Sequence, residues 1–156
     1  MKGKIGESKK RLKASLIYDR VRWEEKQLFK AAKNRNIDIK MVDSKRESFD
    51  LSEESEVFLQ KFGEVSLQRC ISHFRGLHIA AILESKGVKV VNKFQTSMVC
   101  GNKLLTTLAL QKAGVPTPKT AVTFHLESSL EALKEMGYPA VLKPVTGSWG
   151  LSLIHI

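Results

Sequence analysis

Between Ala14 and Val91, short apolar runs alternate with segments in which apolar residues recur at helical spacing. Short apolar runs are typical of buried strands, and apolar residues every three or four positions are typical of helices. The predicted strands cover residues 14–18, 37–42, 65–69 and 88–91. The predicted helices between them cover residues 23–32, a Glu-rich segment that follows Asp50 and Ser52 and ends at Phe62, and residues 73–86. This alternation predicts an α/β fold with a Rossmann-like parallel sheet and helical crossovers.

The composition changes near Asn92, and a stiff Val-Pro-Thr-Pro sequence at 115–118 interrupts the second part of the chain. The elements predicted there are a helix at 101–114, a strand at 120–124, a helix that opens with a Ser128–Glu131 capping box and ends at Gly137, and a strand at 139–143. The domain organisation predicted from both parts is a basic disordered tail at 1–13, a Rossmann-like domain at 14–94, a second unit at 95–150 and a tail at 151–156.

The net charge of +10 is concentrated at the start of the 156-residue chain. Residues 1–46 hold 15 Lys and Arg against 6 Asp and Glu, whereas the remaining residues hold 11 against 10. A nucleic-acid binder would spread basic residues over a face and add aromatic residues for stacking, but aromatic residues are only 7% of this chain. We therefore expect no nucleic-acid partner, and we interpret the charge as a tail and a steering patch for an acidic partner.

Other classes of protein are disfavoured by what the sequence lacks. Its longest apolar runs, such as Ile79–Leu83, are far shorter than the roughly 20 residues of a membrane-spanning helix, so no membrane association is expected. The turn after the first strand has no GxGxxG, and no GxxxxGK[ST] occurs, so neither dinucleotide binding nor a P-loop is indicated. Cys70 and Cys100 lack the spacing of a zinc site and suit the reducing cytoplasm.

Two lysines are candidate ligands for a polyphosphate. Lys143 ends an apolar strand and precedes a loop that contains Gly147 and Gly150, and Lys103 opens a helix. Ammonium groups supply positive charge, and glycines allow backbone N–H groups to approach phosphate oxygens. Taken by spacing alone, these residues are more typical of surface lysines and an ordinary turn.

The order of several motifs resembles the ATP-grasp superfamily. These motifs are Asn-Lys-Phe-Gln-Thr-Ser-Met-Val-Cys-Gly-Asn-Lys at 92–103, Ala-Gly-Val-Pro-Thr-Pro-Lys-Thr at 113–120 and Gly-Tyr-Pro-Ala-Val-Leu-Lys-Pro at 137–144. Further runs at 22–26, 68–72, 74–78 and 100–103 are similar to a narrower group, the RimK-type ligases that join α-aminoadipate or glutamate to the small carrier protein LysW. The resemblance covers about residues 14–150.

The resemblance implies a pre-ATP-grasp domain at 14–94 and the small lobe of an ATP-grasp domain at 95–150. It implies that Lys103 and Lys143 contact the phosphates of ATP, and that Gly147, Ser148, Trp149 and Gly150 form the loop that closes over the nucleotide. The implied activity is ATP-dependent amide formation in lysine or arginine biosynthesis. In this reaction ATP phosphorylates the C-terminal glutamate side chain of LysW, and the amino group of the amino-acid substrate attacks the acyl phosphate.

The sequence departs from the family pattern after Gly150. Residues 151–156 do not resemble the family's continuation, and we expect them to be a non-native tail on an incomplete small lobe. The implied Mg²⁺ ligands belong to a second lobe beyond this point, so no catalytic residue and no metal ligand is predicted within the chain. We expect the chain alone to be inactive.

Three polar residues follow the third strand, where open sheets usually bind ligands. Arg69, Ser72 and Arg75 are candidate contacts for the amino-acid substrate or the acidic carrier, and helix capping and surface charge explain them equally well. Trp23, which opens the first helix, is predicted to pack in the core.

Two alternative functions remain open. The first is a RimK-type ligase that adds glutamate to a ribosomal protein or another peptide, although the runs at 22–25 and 100–103 favour the LysW ligases. The second is a non-catalytic, flavodoxin-like module whose basic surface binds an acidic protein or RNA. The sequence leaves the choice between α-aminoadipate and glutamate open, as well as homo-oligomer formation.

Overall fold

A computed structural model of the chain describes residues 11–147 and 154–155. The chain divides into two compact units, Met1–Phe94 and Gln95–Ile156, which we call the first and second units.

The first unit is built on a four-stranded parallel sheet. The strands are β1 (Lys13–Tyr18), β2 (Asp38–Asp43), β3 (Val65–Gln68) and β4 (Lys89–Val91), in the spatial order β2-β1-β3-β4. The connecting helices are α1 (Trp23–Asn34), α2 (Ser55–Phe62) and α3 (His73–Ser85). The structure therefore confirms the predicted α/β fold with a parallel sheet.

Strand β1 is central and buried on both faces, which explains its continuous apolar run. Successive side chains point to opposite faces of a strand, so Leu16 and Ile17 enter different core clusters. Leu16 packs with residues of α1 and β2, whereas Ile17 packs with residues of α2 and α3. The helix α1 thus covers one face of the sheet, and α2 and α3 cover the other.

The sheet also contains a buried polar pair. The Ser15 hydroxyl of β1 donates to the Ser66 hydroxyl of β3 at 3.0 Å, and both residues are fully buried. The two strands are paired in register at these residues. Each hydroxyl therefore satisfies the other inside the core.

Two local predictions for the first unit are wrong. Neither Asp50 nor Ser52 opens helix α2, which begins at Ser55, because the Asp50 carboxylate accepts the backbone N–H and the hydroxyl of Ser52 in a separate turn. Trp23 is 71% exposed and does not pack in the core.

The second unit contains shorter and less buried elements. They are α4 (Phe94–Cys100, which starts on the last residue of the first unit), α5 (Lys103–Lys112), α6 (Leu126–Met136) and an antiparallel pair of β5 (Val141–Leu142) and β6 (Ile154–His155). Helix α4 was not predicted, and residues 120–124 form no strand. Ser128 does not cap α6, since the helix begins at Leu126 and the Ser128 hydroxyl donates to the His125 carbonyl.

Candidate functional site

The start of helix α5 is hydrogen-bonded to the segment that follows β5. The Lys103 backbone N–H donates to the Val145 carbonyl at 2.8 Å, and Asn102 and Thr146 form an antiparallel bridge. Asn102 also caps the helix, because its side-chain oxygen accepts the Leu105 N–H at 3.0 Å. The position of Lys103 is therefore fixed relative to residues 145–147.

The side chain of Lys103 reaches the same segment. Its ammonium donates to the Gly147 carbonyl at 2.8 Å. An ammonium group has three N–H donors, so two remain for other acceptors. Gly147 has a φ of +117°, a conformation that favours glycine over residues with a side chain.

Lys143 directly follows β5 and has an exposed side chain. It lies two residues before Val145, so chain geometry keeps the two Cα atoms within roughly 7 Å. Among residues 11–147 and 154–155, no carboxylate forms an ion pair with Lys103 or Lys143. The segment 143–147 with Lys103 thus gathers uncompensated positive charge. Ser148, Trp149 and Gly150 lie outside the described residues.

A second polar cluster lies at the carboxyl ends of β1 and β3. Asp19, which follows β1 and is 8% exposed, accepts hydrogen bonds from the Ile71 and Ser72 backbone N–H groups at 2.9 and 3.0 Å. The Arg75 guanidinium donates to the same carboxylate at 3.0 Å. Burial alone would raise the pKa of Asp19, but the two backbone hydrogen bonds and the Arg75 charge outweigh it and lower the pKa below its ordinary value.

Glu25 in the first turn of α1 is the second buried carboxylate of this cluster, whereas the Glu24 carboxylate, 3.8 Å from Arg22, is exposed. Arg22 donates to Glu25 from the backbone N–H, Nε and Nη2 at 2.9, 3.1 and 2.9 Å. Arg69, just after β3, donates from Nε at 3.1 Å, and its Nη2 lies 3.0 Å from Oε1 in an ion pair. The hydrogen bonds from Arg22, together with the one from Arg69, overcome the effect of burial and lower the pKa of Glu25 to about 2.

The structure places Arg69, Ser72 and Arg75 together, as expected for residues after one strand. Ser72 caps α3 by accepting the Arg75 N–H at 3.3 Å, which matches the capping alternative. The arginines pair with Glu25 and Asp19, which the sequence analysis did not single out as site residues. The available signals were an aspartate directly after a buried strand and a glutamate three residues after Arg22, the spacing of a capping box.

Other site types receive little support from the described part of the chain. Within it, no group of three or more His, Cys, Asp and Glu side chains is placed to hold a metal ion. No described helix is both long enough and apolar enough to cross a membrane. Both cysteines are free thiols; Cys70 is half-buried, and burial raises its pKa, whereas Cys100 is exposed.

A family model described as the LysX preATP-grasp domain matches residues 14–99 of the chain. The chain belongs to this family. The match confirms the resemblance to the ATP-grasp superfamily, and it covers the polar cluster of Asp19 and Glu25 but not the segment of Lys103 and residues 143–147.

Two curated relatives of this chain extend the similarity beyond the LysX preATP-grasp domain. The alpha-aminoadipate–LysW ligase LysX of Saccharolobus solfataricus is 35% identical over 134 residues, which cover 83% of this chain and 46% of that protein. The glutamate–LysW ligase ArgX of Sulfolobus acidocaldarius is 32% identical over 146 residues, which cover 92% of this chain and 50% of that protein. The chain spans about half the length of the curated relatives it matches.

A solved structure agrees with the sequence relatives. The RimK domain protein ATP-grasp from Sphaerobacter thermophilus superimposes with a TM-score of 0.76 at 27% identity. The match covers 92% of this chain and 53% of that one. The fold is therefore that of a RimK-type ATP-grasp protein over the matched region.

Proposed function

We propose that this chain provides the pre-ATP-grasp domain and the ATP-binding lysines of an ATP-dependent carboxylate–amine ligase. The proposed reaction joins α-aminoadipate or glutamate to the carrier protein LysW in the cytoplasm, in lysine or arginine biosynthesis. We assign residues 14–94 to the pre-ATP-grasp domain and residues 95–150 to the small lobe of the ATP-grasp domain. The support comes from the relatives, since both kinds of LysW ligase match most of this chain.

One observation supports the nucleotide site most directly. Lys103 donates hydrogen bonds to the carbonyls of Val145 and Gly147, which lie in the segment that follows Lys143 along the chain. A phosphate oxygen bound beside Gly147 would lie within reach of the free donors of Lys103. The donors present fit a triphosphate, because they are cationic or backbone groups and no described carboxylate pairs with them. In this proposal Ser148, Trp149 and Gly150 complete the loop over ATP.

The chemistry requires activation of a carboxylate. An oxygen of the LysW glutamate side chain attacks the γ-phosphorus of ATP, the bond to ADP breaks, and an acyl phosphate forms. The amino group of the second substrate then attacks the acyl carbon and phosphate leaves. Lys103 and Lys143 would hold the nucleotide phosphates and stabilise the charge that develops on them.

Magnesium accompanies ATP in the proposed reaction. The residues that the structure describes do not fit a magnesium site, since they contain no cluster of three or more acidic, histidine or cysteine ligands. We therefore propose that its ligands come from outside the described residues.

A RimK-type glutamate ligase that modifies a ribosomal protein or another peptide is a second candidate. It is favoured by the structural similarity to the RimK domain protein. Ligation assays of the complete enzyme with LysW and with a peptide acceptor, each with α-aminoadipate or glutamate, separate the candidates. Amide formation on the peptide but not on LysW would favour the second one.

Nucleotide binding by this chain tests the site itself. Titration calorimetry with Mg-ATP should detect binding that Lys103→Met and Lys143→Met each weaken at least about fivefold, because one lysine–phosphate contact contributes roughly 1 kcal/mol or more. Lys112→Met is the matched control, since Lys112 is exposed at the far end of α5. Equal weakening in all three variants, or no binding of ATP by the unmodified chain, would contradict the proposed nucleotide site.

A further inference from the structure

Helix α3 differs from the other two helices of the sheet because its outward side carries no charge. Its buried residues are Gly76, Ile79, Ala80 and Leu83. The helical period therefore turns four residues away from the core, which we call the α3 stripe: Phe74, His78, Ala81 and Ser85. Helices α1 and α2 expose charged side chains instead, such as Lys30 and Glu56. A helix without a charged outward side is typical of one that another element covers.

The two charged residues of α3 are already paired inside the first unit. The Arg75 guanidinium donates to the Asp19 carboxylate at 3.0 Å. The Glu84 carboxylate accepts the backbone N–H of Phe94 at 3.0 Å. Because neither residue belongs to the α3 stripe, the stripe offers a partner only apolar and weakly polar contacts.

The first half of the α3 stripe is an ordered ridge. Phe74 is 73% exposed, and its ring centroid lies 4.1 Å from that of His78. The His78 Nδ1 also lies 2.8 Å from the Phe74 carbonyl oxygen, within hydrogen-bond distance. These contacts hold the two rings together before any partner arrives, so less side-chain entropy is lost on association. Ala81 and Ser85 are small and leave a low surface on the second half.

The α3 stripe is complementary to itself in an antiparallel arrangement. Residues 74, 78, 81 and 85 have the spacing of the a and d positions of a coiled coil. In a two-fold pair centred between residues 79 and 80, Phe74 of one copy lies opposite Ser85 of the other copy. His78 lies opposite Ala81 in the same way. Large side chains then meet small ones along the whole contact, which is how packed interfaces avoid voids.

The charge of the chain also favours a contact at this surface. Two copies that each carry a net charge of +10 repel each other over most of their surfaces. The uncharged α3 stripe is a place where they can approach without bringing like charges together. A second copy fits better than a helix of another sequence, because the same four residues provide both the ridge and the surface that receives it.

We propose that the chain forms a homodimer through the α3 stripe, with the two α3 helices packed antiparallel. A 13-residue helix is about 20 Å long, so the contact is at the small end of protein interfaces. The expected dissociation constant is therefore micromolar. The inference does not depend on the proposed function, since the stripe lies in the first unit and contains no residue of the proposed nucleotide site.

Sedimentation velocity of the 156-residue chain over a micromolar concentration series tests the proposal. The unmodified chain should show a monomer–dimer equilibrium. Phe74→Gln should raise its dissociation constant at least about tenfold, because the ridge is lost. Phe74 is mostly exposed, so this variant should keep its fold, which circular dichroism checks. Phe124→Gln is the matched control, because Phe124 is a 94% exposed phenylalanine in the second unit, and it should leave the dissociation constant unchanged.

A mixing experiment tests the antiparallel arrangement. His78→Lys and Ala81→Glu each place a charge in the uncharged contact, so either variant alone should dimerise at least about tenfold more weakly. An equimolar mixture of the two variants should recover association, because the introduced ammonium and carboxylate face each other across the two-fold axis. A parallel arrangement would bring position 78 against position 78 and would not pair these charges.

Three outcomes would overturn the proposal. A chain that stays monomeric throughout the series would show that a different polypeptide, and not a second copy, covers the stripe. A dimer that Phe124→Gln weakens as much as Phe74→Gln would place the contact elsewhere. A mixture that associates no better than either variant alone would contradict the antiparallel contact of the two stripes.

Discussion

The two units of the chain differ sharply in how much apolar surface they bury. All of the buried apolar residues of the described chain lie in the first unit except Leu133. The second unit leaves Phe124, Leu126 and Tyr138 at 94%, 68% and 65% exposure. In the first unit, helices on both faces of a four-stranded sheet bury its apolar side chains. In the second unit, a pair of two-residue strands offers too little surface to bury the apolar side chains of the helices.

The two polar clusters described above rest on different kinds of support. Arg69 and Arg75 are held by the buried carboxylates of Glu25 and Asp19 on a tightly packed sheet. The proposed nucleotide site depends on local hydrogen bonds, such as those from Lys103 to Val145 and Gly147. Regions with few buried apolar contacts open at lower free energy, so the second unit should be the more mobile of the two.

The largest expected effect comes from truncating the core of each unit. Phe62→Ala should lower the free energy of unfolding of the first unit by about 3–5 kcal/mol, because Phe62 is 1% exposed and stacks on Phe49 at 5.6 Å. Leu133→Ala should cost about 2 kcal/mol or less in the second unit, where the surroundings are sparser. Urea unfolding followed by hydrogen exchange of peptides from each unit measures both values. A larger loss from Leu133→Ala than from Phe62→Ala would contradict the difference in packing between the two units.

The acid stability of the first unit should depend on Glu25. Because its pKa is about 2 in the folded chain and 4.5 ordinarily, its stabilisation is fully present above about pH 4.5 and is lost as the pH falls towards 2. A shift of this size corresponds to roughly 3 kcal/mol. Urea unfolding between pH 7 and 2 should show a steep loss that Glu25→Gln reduces.

Glu24→Gln is the control for the acid transition. The Glu24 side chain is 49% exposed and lies 3.8 Å from Arg22, so it should change the pH dependence little. An acid transition that is unchanged by Glu25→Gln would refute the assignment of this stability to Glu25.

A smaller difference in stability is expected between substitutions of two glycines that have nearly identical backbone conformations. Gly63 ends α2 at φ 81° and ψ −176°, and Gly137 ends α6 at φ 80° and ψ 177°. A Cβ on Gly63 would lie 2.5 Å from the Lys13 carbonyl oxygen, whereas one on Gly137 meets nothing within 4 Å. Gly63→Ala should therefore cost about 1–3 kcal/mol more than Gly137→Ala, since both variants share the strain but only one adds a clash. Thermal and urea unfolding of the two variants check this difference, and equal costs would contradict it.

The sequence predicted the first unit better than the second. The four strands and three helices of the first unit follow from apolar periodicity, because burial in a layered α/β fold imposes that periodicity. Residues 120–124 are rich in β-branched and aromatic side chains like a strand, yet no described strand pairs with them. Helix α4 was missed because its seven residues contain no buried side chain and so carry no helical pattern.

The polar clusters show a similar limit. The gathering of Arg69, Ser72 and Arg75 was predictable, because residues after one strand of a parallel sheet collect at its carboxyl edge. The partners of the two arginines were not predictable, since Asp19 lies 56 residues from Arg75 and Glu25 lies 44 residues from Arg69. The roles of Lys103, Lys143 and these arginines towards ligands stay predictions.

The paired hydroxyls of Ser15 and Ser66 restrict how this sheet can evolve. Both serines are fully buried, and their hydroxyls form a hydrogen bond with each other at 3.0 Å. Replacing one serine by alanine leaves the other hydroxyl buried without a hydrogen-bond partner. Replacing both removes the two hydroxyls, so no buried polar group remains unpaired. The two positions should therefore covary among homologues, changing as a couple across two adjacent strands instead of drifting separately.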